Sequence, residues 1–230
     1  MGKLILIRHG QSTYNDQNRF TGCTDAPLTE LGLQQAMRAA ETLRHIPIHA
    51  LFCSALSRAW DTQQAILQQL GSHLSALPSF RSAALNERDY GALTGMNKQD
   101  AIDTHGIDQV RLWRRSYHSR PPQGESLANT RERVIDYYHD TIQPRCVSGE
   151  HVLIVAHGNS LRALVGHLLG YSPKDFQHIE IAWCCPWILD FDGTQLSQMR
   201  VIRNPLVTGR NGIAEQESTA MTQPLAVSFA

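Results

Sequence analysis

With 230 residues and 21 basic side chains balanced by 21 acidic ones, the chain is long enough for one α/β domain with a sizeable core and lacks the basic surplus of a nucleic-acid surface. It holds no run of about 18 apolar residues to span a membrane, and Lys3 to Ile7 lead straight into Arg8 and His9, too short a run for a secretory signal, so a cytoplasmic protein is expected. The five cysteines are odd in number and form no C-x-x-C pair, and the eleven histidines show no H-x-H or H-E-x-x-H spacing, so neither a disulfide framework nor a metal site is expected.

Leu4-Ile5-Leu6-Ile7 reads as a strand buried on both faces. Residues 29–44 carry Leu33, Ala36, Met37, Ala40 and Leu43 at helical spacing, with Pro47 just beyond. A strand over 50–53, a helix over 58–70 closed by Gly71 and an extended stretch over 81–87 complete a βαβαβ order. Residues 98–117 read as helix of mixed character, 126–142 as a long helix ended by Pro144, 152–156 as a strand and 160–169 as a helix closed by Gly170. A hairpin is expected from 188–191 and 199–202 across Asp192-Gly193. This alternation predicts a three-layer α/β/α sandwich with a mostly parallel sheet, in one domain spanning 1–203. From residue 204 the composition turns to Asn, Gly, Thr, Ser, Gln and Pro without periodicity, and 204–230 is expected to be a flexible tail.

The chemistry concentrates at two strand ends, Arg8-His9-Gly10 and His157-Gly158-Asn159. Ligands of open α/β sheets collect outside the carboxyl ends of the strands, so both imidazoles are expected to face one crevice. A phosphoryl group brings close to two negative charges and several strong acceptor oxygens, and its site needs guanidinium forks, backbone N–H groups and a nucleophile. Arg8, Arg58, Lys98, Arg114 and Arg115 supply positive charge, while Gly10, Gly22 and Gly158 let backbone approach closely. Taken singly, each has an ordinary reading: an arginine after a strand is usually solvated, an Arg-Arg pair usually marks a wet helix face, and a strand-end histidine is usually a surface residue. Two strand ends that each carry His-Gly reverse that reading.

Arg8-His9-Gly10-Gln11-Ser12 resembles the signature of the histidine phosphatase superfamily, whose histidine is phosphorylated during turnover. Across residues 4–191 the chain more specifically resembles the 2,3-bisphosphoglycerate-dependent phosphoglycerate mutases, through Arg19-Phe20-Thr21-Gly22, Leu28-Thr29-Glu30-Leu31-Gly32, Leu85-Asn86-Glu87-Arg88-Asp89-Tyr90-Gly91, Trp113-Arg114-Arg115 and Ala156-His157-Gly158-Asn159-Ser160-Leu161-Arg162. The resemblance implies a phosphoglycerate mutase-like fold in which His9 accepts the phosphoryl group, flanked by Arg8, Arg58 and His157, with Glu87 as general acid and base. It implies contacts to the glycerate carboxylate and second phosphate from Thr21, Gly22, Tyr90, Lys98, Arg114, Arg115, Gly158 and Asn159, with Asn15 supporting the phosphate. The activity implied is interconversion of 3-phosphoglycerate and 2-phosphoglycerate, primed by 2,3-bisphosphoglycerate without a metal, in a homodimer.

The chain departs from the family at several points. Gln11 stands where many members have Glu, Cys23 where many have Trp and Asp89 where many have His. The long lid insertion of the larger mutases is absent between Pro121-Pro122 and Gly124-Glu125-Ser126, and Trp183-Cys184-Cys185 replaces a Thr-Gly loop, which puts bulk near the expected pocket rim. A thinner lid admits more water to a phosphohistidine. A histidine-type phosphatase acting on a small phosphorylated metabolite is therefore the alternative. A module that binds phosphorylated ligands without turnover is a third reading, against which His9 and Glu87 count.

Overall fold

The computed structural model describes residues 1–207. Its strands are β1 (Gly2–Arg8), β2 (Ala50–Ser54), β3 (Ser79–Ser82), β4 (His151–Ala156), β5 (Trp187–Asp192) and β6 (Gln195–Val201), forming one six-stranded sheet in the order β3-β2-β4-β1-β5-β6. The first four in that order run parallel, and β5 and β6 complete one edge antiparallel. The helices are α1 (Thr13–Asp16), α2 (Glu30–Leu43), α3 (Ser57–Leu70), α4 (Lys98–His105), α5 (Ile107–Arg115), α6 (Leu127–Tyr137), α7 (Gln143–Val147) and α8 (Gly158–Leu168). Among the described residues no helix is long and apolar enough to cross a membrane.

The three layers follow from the two-residue period of a strand. On β1, Leu4 and Leu6 pack with Phe52, Val152 and Ile154 against Val134 of α6 and Leu161 and Leu164 of α8. Ile5 and Ile7 pack with Leu51, Leu153 and Val155 against Ala36, Ala40 and Leu43 of α2 and Ala59 and Ile66 of α3. Both faces are dry, so the central strands are apolar through 4–7, 50–53 and 152–156, and burying each large side chain there contributes about 1.5–3 kcal/mol. Leu33 and Met37, which helical spacing counts toward the core, are exposed at 41% and 46%, because the buried stripe of α2 runs through its alanines. A smaller cluster of Phe20, Leu93, Ala101, Val110 and Trp113 seats α4 and α5 beyond the carboxyl ends of the strands.

Several boundaries differ from expectation, each for a local reason. The strand expected over 81–87 is Ser79–Ser82, after which the Ser82 hydroxyl accepts from Ala84 N at 3.2 Å and turns 83–85 into a 3₁₀ turn. Helix 98–117 divides at Gly106, whose φ of +82° ends α4 and starts α5. Pro144 does not end the long helix: a π turn over Tyr138–Ile142 precedes it, and α7 takes the proline in its first turn, where a missing N–H costs nothing. The β6 strand begins at Gln195, earlier than its apolar residues show, because it is an edge strand paired to β5 alone. The tail boundary also moves. Asn204 is buried, its amide donating to Gln35 O at 2.8 Å and Cys184 O at 3.1 Å, while Gln35 donates to Leu206 O at 3.3 Å. The remainder of the expected tail, 208–230, lies outside the described residues.

Candidate active site

The register of the two central strands builds the site. Arg8 of β1 pairs with Ala156 of β4, and His9 N donates to Ala156 O at 3.0 Å. One residue further on, His9 and His157 leave the sheet side by side, their ring centroids 4.9 Å apart. His9 is 2% exposed and His157 fully buried.

His9 Nδ1 lies 2.6 Å from Gly10 O. A carbonyl only accepts, so Nδ1 carries the proton and Nε2 keeps its lone pair. Arg58 Nε donates toward that Nε2 at 3.4 Å. Burial, with Arg58 and Arg8 adding to it, holds His9 well below the usual imidazole range, so it is a neutral nucleophile at pH 7. The loop behind it is tightly fitted. A Cβ on Gly10 would meet Gly32 O at 2.2 Å, and one on Gly32 would meet Gln11 O at 2.2 Å, so both positions take glycine for contact rather than for flexibility. Thr62 Oγ1 accepts from Gly10 N at 3.0 Å, and Thr29 caps α2 while donating to Gln11 Oε1 at 2.9 Å.

Arg58 opens α3 but turns inward, fully buried, its Nη atoms donating to Thr24 O and Gly22 O, both at 2.8 Å. Burial lowers its pKa to about 10, which leaves it charged at neutral pH. Arg8 donates to Ile181 O at 2.8 Å, and its guanidinium lies 5.3 Å from the Trp183 ring centroid. The Trp183-Cys184-Cys185 segment therefore packs behind Arg8, with Cys184 N donating to Arg8 O at 2.9 Å, and does not line the cavity rim as expected.

His157 stands at the N-cap position of α8, and its Nε2 sits 2.7 Å from Ser54 Oγ. Ser54 Oγ donates to Asn86 Oδ1 at 2.9 Å, so His157 Nε2 must be the donor to Ser54, which leaves Nδ1 bare. That Nδ1 and Arg8 Nε are buried without a hydrogen-bond partner. Burial first, then Arg58, His9 and Arg8, hold His157 well below the usual imidazole range.

Glu87 faces this pair from the 86–90 segment. Its Oε1 accepts from Arg88 N at 2.9 Å and Asn159 N at 3.0 Å, which ties it to the amino end of α8. A brace holds the segment: Arg133 donates to Ala84 O, Asn86 O and Glu87 O at 2.7–3.1 Å, and to Glu125, whose Oε2 also accepts from Asp89 N at 3.1 Å. The short 121–126 loop is part of that brace through Glu125.

A cavity of about 490 Å³ opens above, lined by Arg8, Glu87 and all nine residues expected to bind substrate: Asn15, Thr21, Gly22, Tyr90, Lys98, Arg114, Arg115, Gly158 and Asn159. His9, Arg58 and His157 are buried and are not among the residues that line it. Asn15 closes the capping box of α1, Ser12 N donating to its Oδ1 at 3.1 Å. The Tyr90 hydroxyl accepts from Arg88 at 3.0 Å and from Asn159 Nδ2 at 3.3 Å. Lys98 Nζ donates to Asn18 Oδ1 at 3.3 Å, and burial with Arg114 nearby lowers its pKa to about 8. Asn18, Arg19, Arg162 and Glu180 also line the cavity, and sequence reasoning missed them as site residues. Arg19 and Arg162 fall inside the blocks that carry the family resemblance, a signal that was available. Chemically, the arrangement offers a neutral imidazole nucleophile among fixed cations, a carboxylate opposite and further cations across one cavity. Among the described residues no three His, Cys, Asp or Glu side chains are grouped to hold a metal ion.

The chain is 49% identical over 187 residues to the 2,3-bisphosphoglycerate-dependent phosphoglycerate mutase of Methylorubrum populi, covering 80% of this chain and 87% of that protein. It is 44% identical over 207 residues to the protein of the same name from Cytophaga hutchinsonii, covering 88% and 96%. Among solved structures, mycobacterial glucosyl-3-phosphoglycerate phosphatase in complex with VO3 matches with a TM-score of 0.73 at 26% identity, over 87% of this chain and 98% of that one. The pattern of the histidine phosphatase superfamily (branch 1) runs through residues 4–203, and the chain belongs to that superfamily.

Proposed function

We propose that the protein interconverts 3-phosphoglycerate and 2-phosphoglycerate through a phosphoryl group carried on His9. The observation that carries this reading is the joining, in one cavity, of Arg8 and Glu87, which stand at the His9 end, to a second set of cations, Lys98, Arg114 and Arg115. A phosphomonoesterase needs the first set alone, whereas a ligand with two anionic ends uses both. The naming of relatives at 44% and 49% identity supports the same substrate class.

In the proposed reaction the loaded His9 gives its phosphoryl group to the free hydroxyl of 3-phosphoglycerate, the nitrogen–phosphorus bond breaking as Glu87 takes that hydroxyl's proton. After the doubly phosphorylated glycerate has turned, His9 Nε2 attacks the other phosphorus in line, that phosphorus–oxygen bond breaks, and Glu87 returns the proton to the departing oxygen, which leaves 2-phosphoglycerate and a reloaded His9. Arg8 and Arg58 stabilise charge on the transferring group, and such preorganised donors are typically each worth about 10²–10³ in rate. His157 Nδ1, bare in the neutral ring, is the atom that would take up a proton to face a phosphoryl oxygen. 2,3-Bisphosphoglycerate, when bound, supplies the phosphoryl group that loads His9. The residues fit it: Arg8, Arg58 and His157 would hold one phosphate, with Arg8 Nε and His157 Nδ1 having buried, unpartnered polar atoms, and Lys98, Arg114 and Arg115 the other.

The short 121–126 loop and the likeness to a phosphatase support a second reading, hydrolysis of the phosphohistidine by water. One experiment separates the two. An enolase-coupled assay on 3-phosphoglycerate, run with and without catalytic 2,3-bisphosphoglycerate and alongside phosphate release, is expected to show cofactor-dependent 2-phosphoglycerate that His9→Ala abolishes. Dominant phosphate release would replace the mutase with a phosphatase.

A further inference from the structure

Two carboxylates, Glu87 and Glu180, line a cavity otherwise rich in cations. Glu87 has a chemical task in the proposed reaction and Glu180 has none, yet its charge opposes the anion the site would take. Glu180 Oε2 accepts from Arg115 at 2.9 Å and lies 3.6 Å from Arg162. These two partners differ. Arg162 is fixed, donating to Ile179 O at 2.8 Å and Asn159 Oδ1 at 2.9 Å. Arg115 and Glu180 have side chains 37% and 34% exposed, and an ion pair this wet holds weakly and opens readily. Burial pushes the Glu180 carboxyl up, but Arg162 and Arg115 outweigh it and hold Glu180 below the ordinary carboxylate range, so it is ionised at neutral pH.

We propose that Glu180 is a specificity-determining counter-ion, which holds Arg115 until a ligand with a second anionic group displaces it and then limits how tightly that ligand is retained. This rests on the reading that the cavity takes small molecules bearing a phosphoryl group and a second anion. A carrier that must release or turn around a doubly anionic ligand gains from such an opposing charge, because a site of uncompensated arginines would hold the ligand too long. Inorganic phosphate, which needs the Arg8 and Arg58 end alone, feels Glu180 less, because Arg162 and Arg115 act on Glu180 more strongly than Arg8 does.

The test is calorimetric binding to the wild type, Glu180→Gln and Glu180→Ala, with two probes: inorganic phosphate, and 3-phosphonopropionate, which pairs a phosphonate with a carboxylate and has no transferable phosphoryl group. An opposing unit charge in the same cavity as the second anion, at an effective dielectric between that of protein surface and water, corresponds to about tenfold in affinity. Both variants are expected to bind 3-phosphonopropionate about tenfold more tightly than wild type and phosphate within about twofold, and the gain shrinks in about 1 M salt, where the Debye length is about 3 Å. Unchanged or weaker 3-phosphonopropionate binding in Glu180→Gln, or no binding by any form, overturns the proposal. The mutase reading fails separately: a wild type that releases phosphate from 3-phosphoglycerate, yet whose Glu180→Gln variant binds 3-phosphonopropionate more tightly, loses the mutase assignment and keeps this one.

Discussion

Replacing Ser54 with alanine tests the hydrogen-bond chain that fixes His157. Ser54 Oγ accepts from His157 Nε2 at 2.7 Å and from Leu56 N at 3.1 Å, and donates to Asn86 Oδ1 at 2.9 Å. Asn86 keeps a second donor, Ala55 N at 3.0 Å, so its oxygen is not stranded. The His157 and Leu56 donors lose the partner they have, in a region where Ser54 and His157 are fully buried and Leu56 is 8% exposed. An orphaned buried donor costs about 1–3 kcal/mol, so the two together predict a loss of about 2–6 kcal/mol. For a chain of this size each kcal/mol moves the thermal midpoint by about 2–4 °C, which gives a fall of about 4–24 °C. The second readout is the tautomer. Long-range ¹H–¹⁵N spectra should show the His157 proton on Nε2 in the wild type and shared with Nδ1 in Ser54→Ala, because the acceptor that selects Nε2 is gone. A variant that melts within a degree of wild type and keeps the Nε2 tautomer refutes the reasoning.

Three further outcomes follow from the same geometry. Burial and Arg114 lower Lys98 to about 8 in the free protein, so the cation that would meet an incoming anion is lost above that pH; KM for 3-phosphoglycerate should be flat below about pH 8 and rise by up to about tenfold per pH unit above it, whereas Lys98→Arg keeps its charge and a flat profile. Glu87→Gln retains an oxygen able to accept from Arg88 N and Asn159 N; it should melt like wild type, lose about 10²–10⁴ in kcat, and still transfer phosphate to His9 from p-nitrophenyl phosphate, whose leaving group needs no proton. The acid limb of stability depends on His9 and His157. Both have folded pKa values depressed well below 6.5, so the unfolded chain binds protons first as pH falls, and their stabilising contribution is complete above about 6.5 and declines below it, by up to about 3 kcal/mol per pH unit for the pair. Urea midpoints that stay level between neutrality and about pH 5.5 would contradict that linkage.

The central strands were legible because they are dry on both faces: an apolar run such as Leu4-Ile5-Leu6-Ile7 has little alternative to a buried strand. Elements that depend on partners were not. The hairpin partner expected over 199–202 is there, but β6 starts earlier, and its polar Gln195, Ser197 and Gln198 are held by pairing to β5, which no pattern within the segment announces. Helix α1, at four residues, is too short to show a period and is secured by the Ser12 and Asn15 capping box. The same division runs through the site. His9, Arg8 and His157 stand beside glycines at strand ends, where their position is written locally. Ser54 meets His157 across 103 residues, and Arg133 reaches Glu87 O across 46, so these contacts exist once the sheet and α6 have assembled.

The loss of the long lid need not expose a phosphoryl group on His9, because the His9 ring is itself buried. His9 is 2% exposed, with Gly10 O and Arg58 Nε as its partners, and it is not among the residues that line the cavity. On the other side, α4 and α5 are held over the site by Phe20, Leu93, Ala101, Val110 and Trp113, a fixed apolar cluster that contributes Lys98 and the Arg114–Arg115 pair to the same cavity. The same two helices therefore supply the cations that, on the proposed reading, would grip the far end of a glycerate. The 121–126 loop adds rigidity through Glu125 and Arg133, holding Glu87 in place with no residue of its own in the cavity lining. Under the proposed mutase reading, the balance between transfer and hydrolysis would be set by how long the doubly phosphorylated glycerate stays while it turns, and Lys98, Arg114 and Arg115 are the cavity side chains that would retain it.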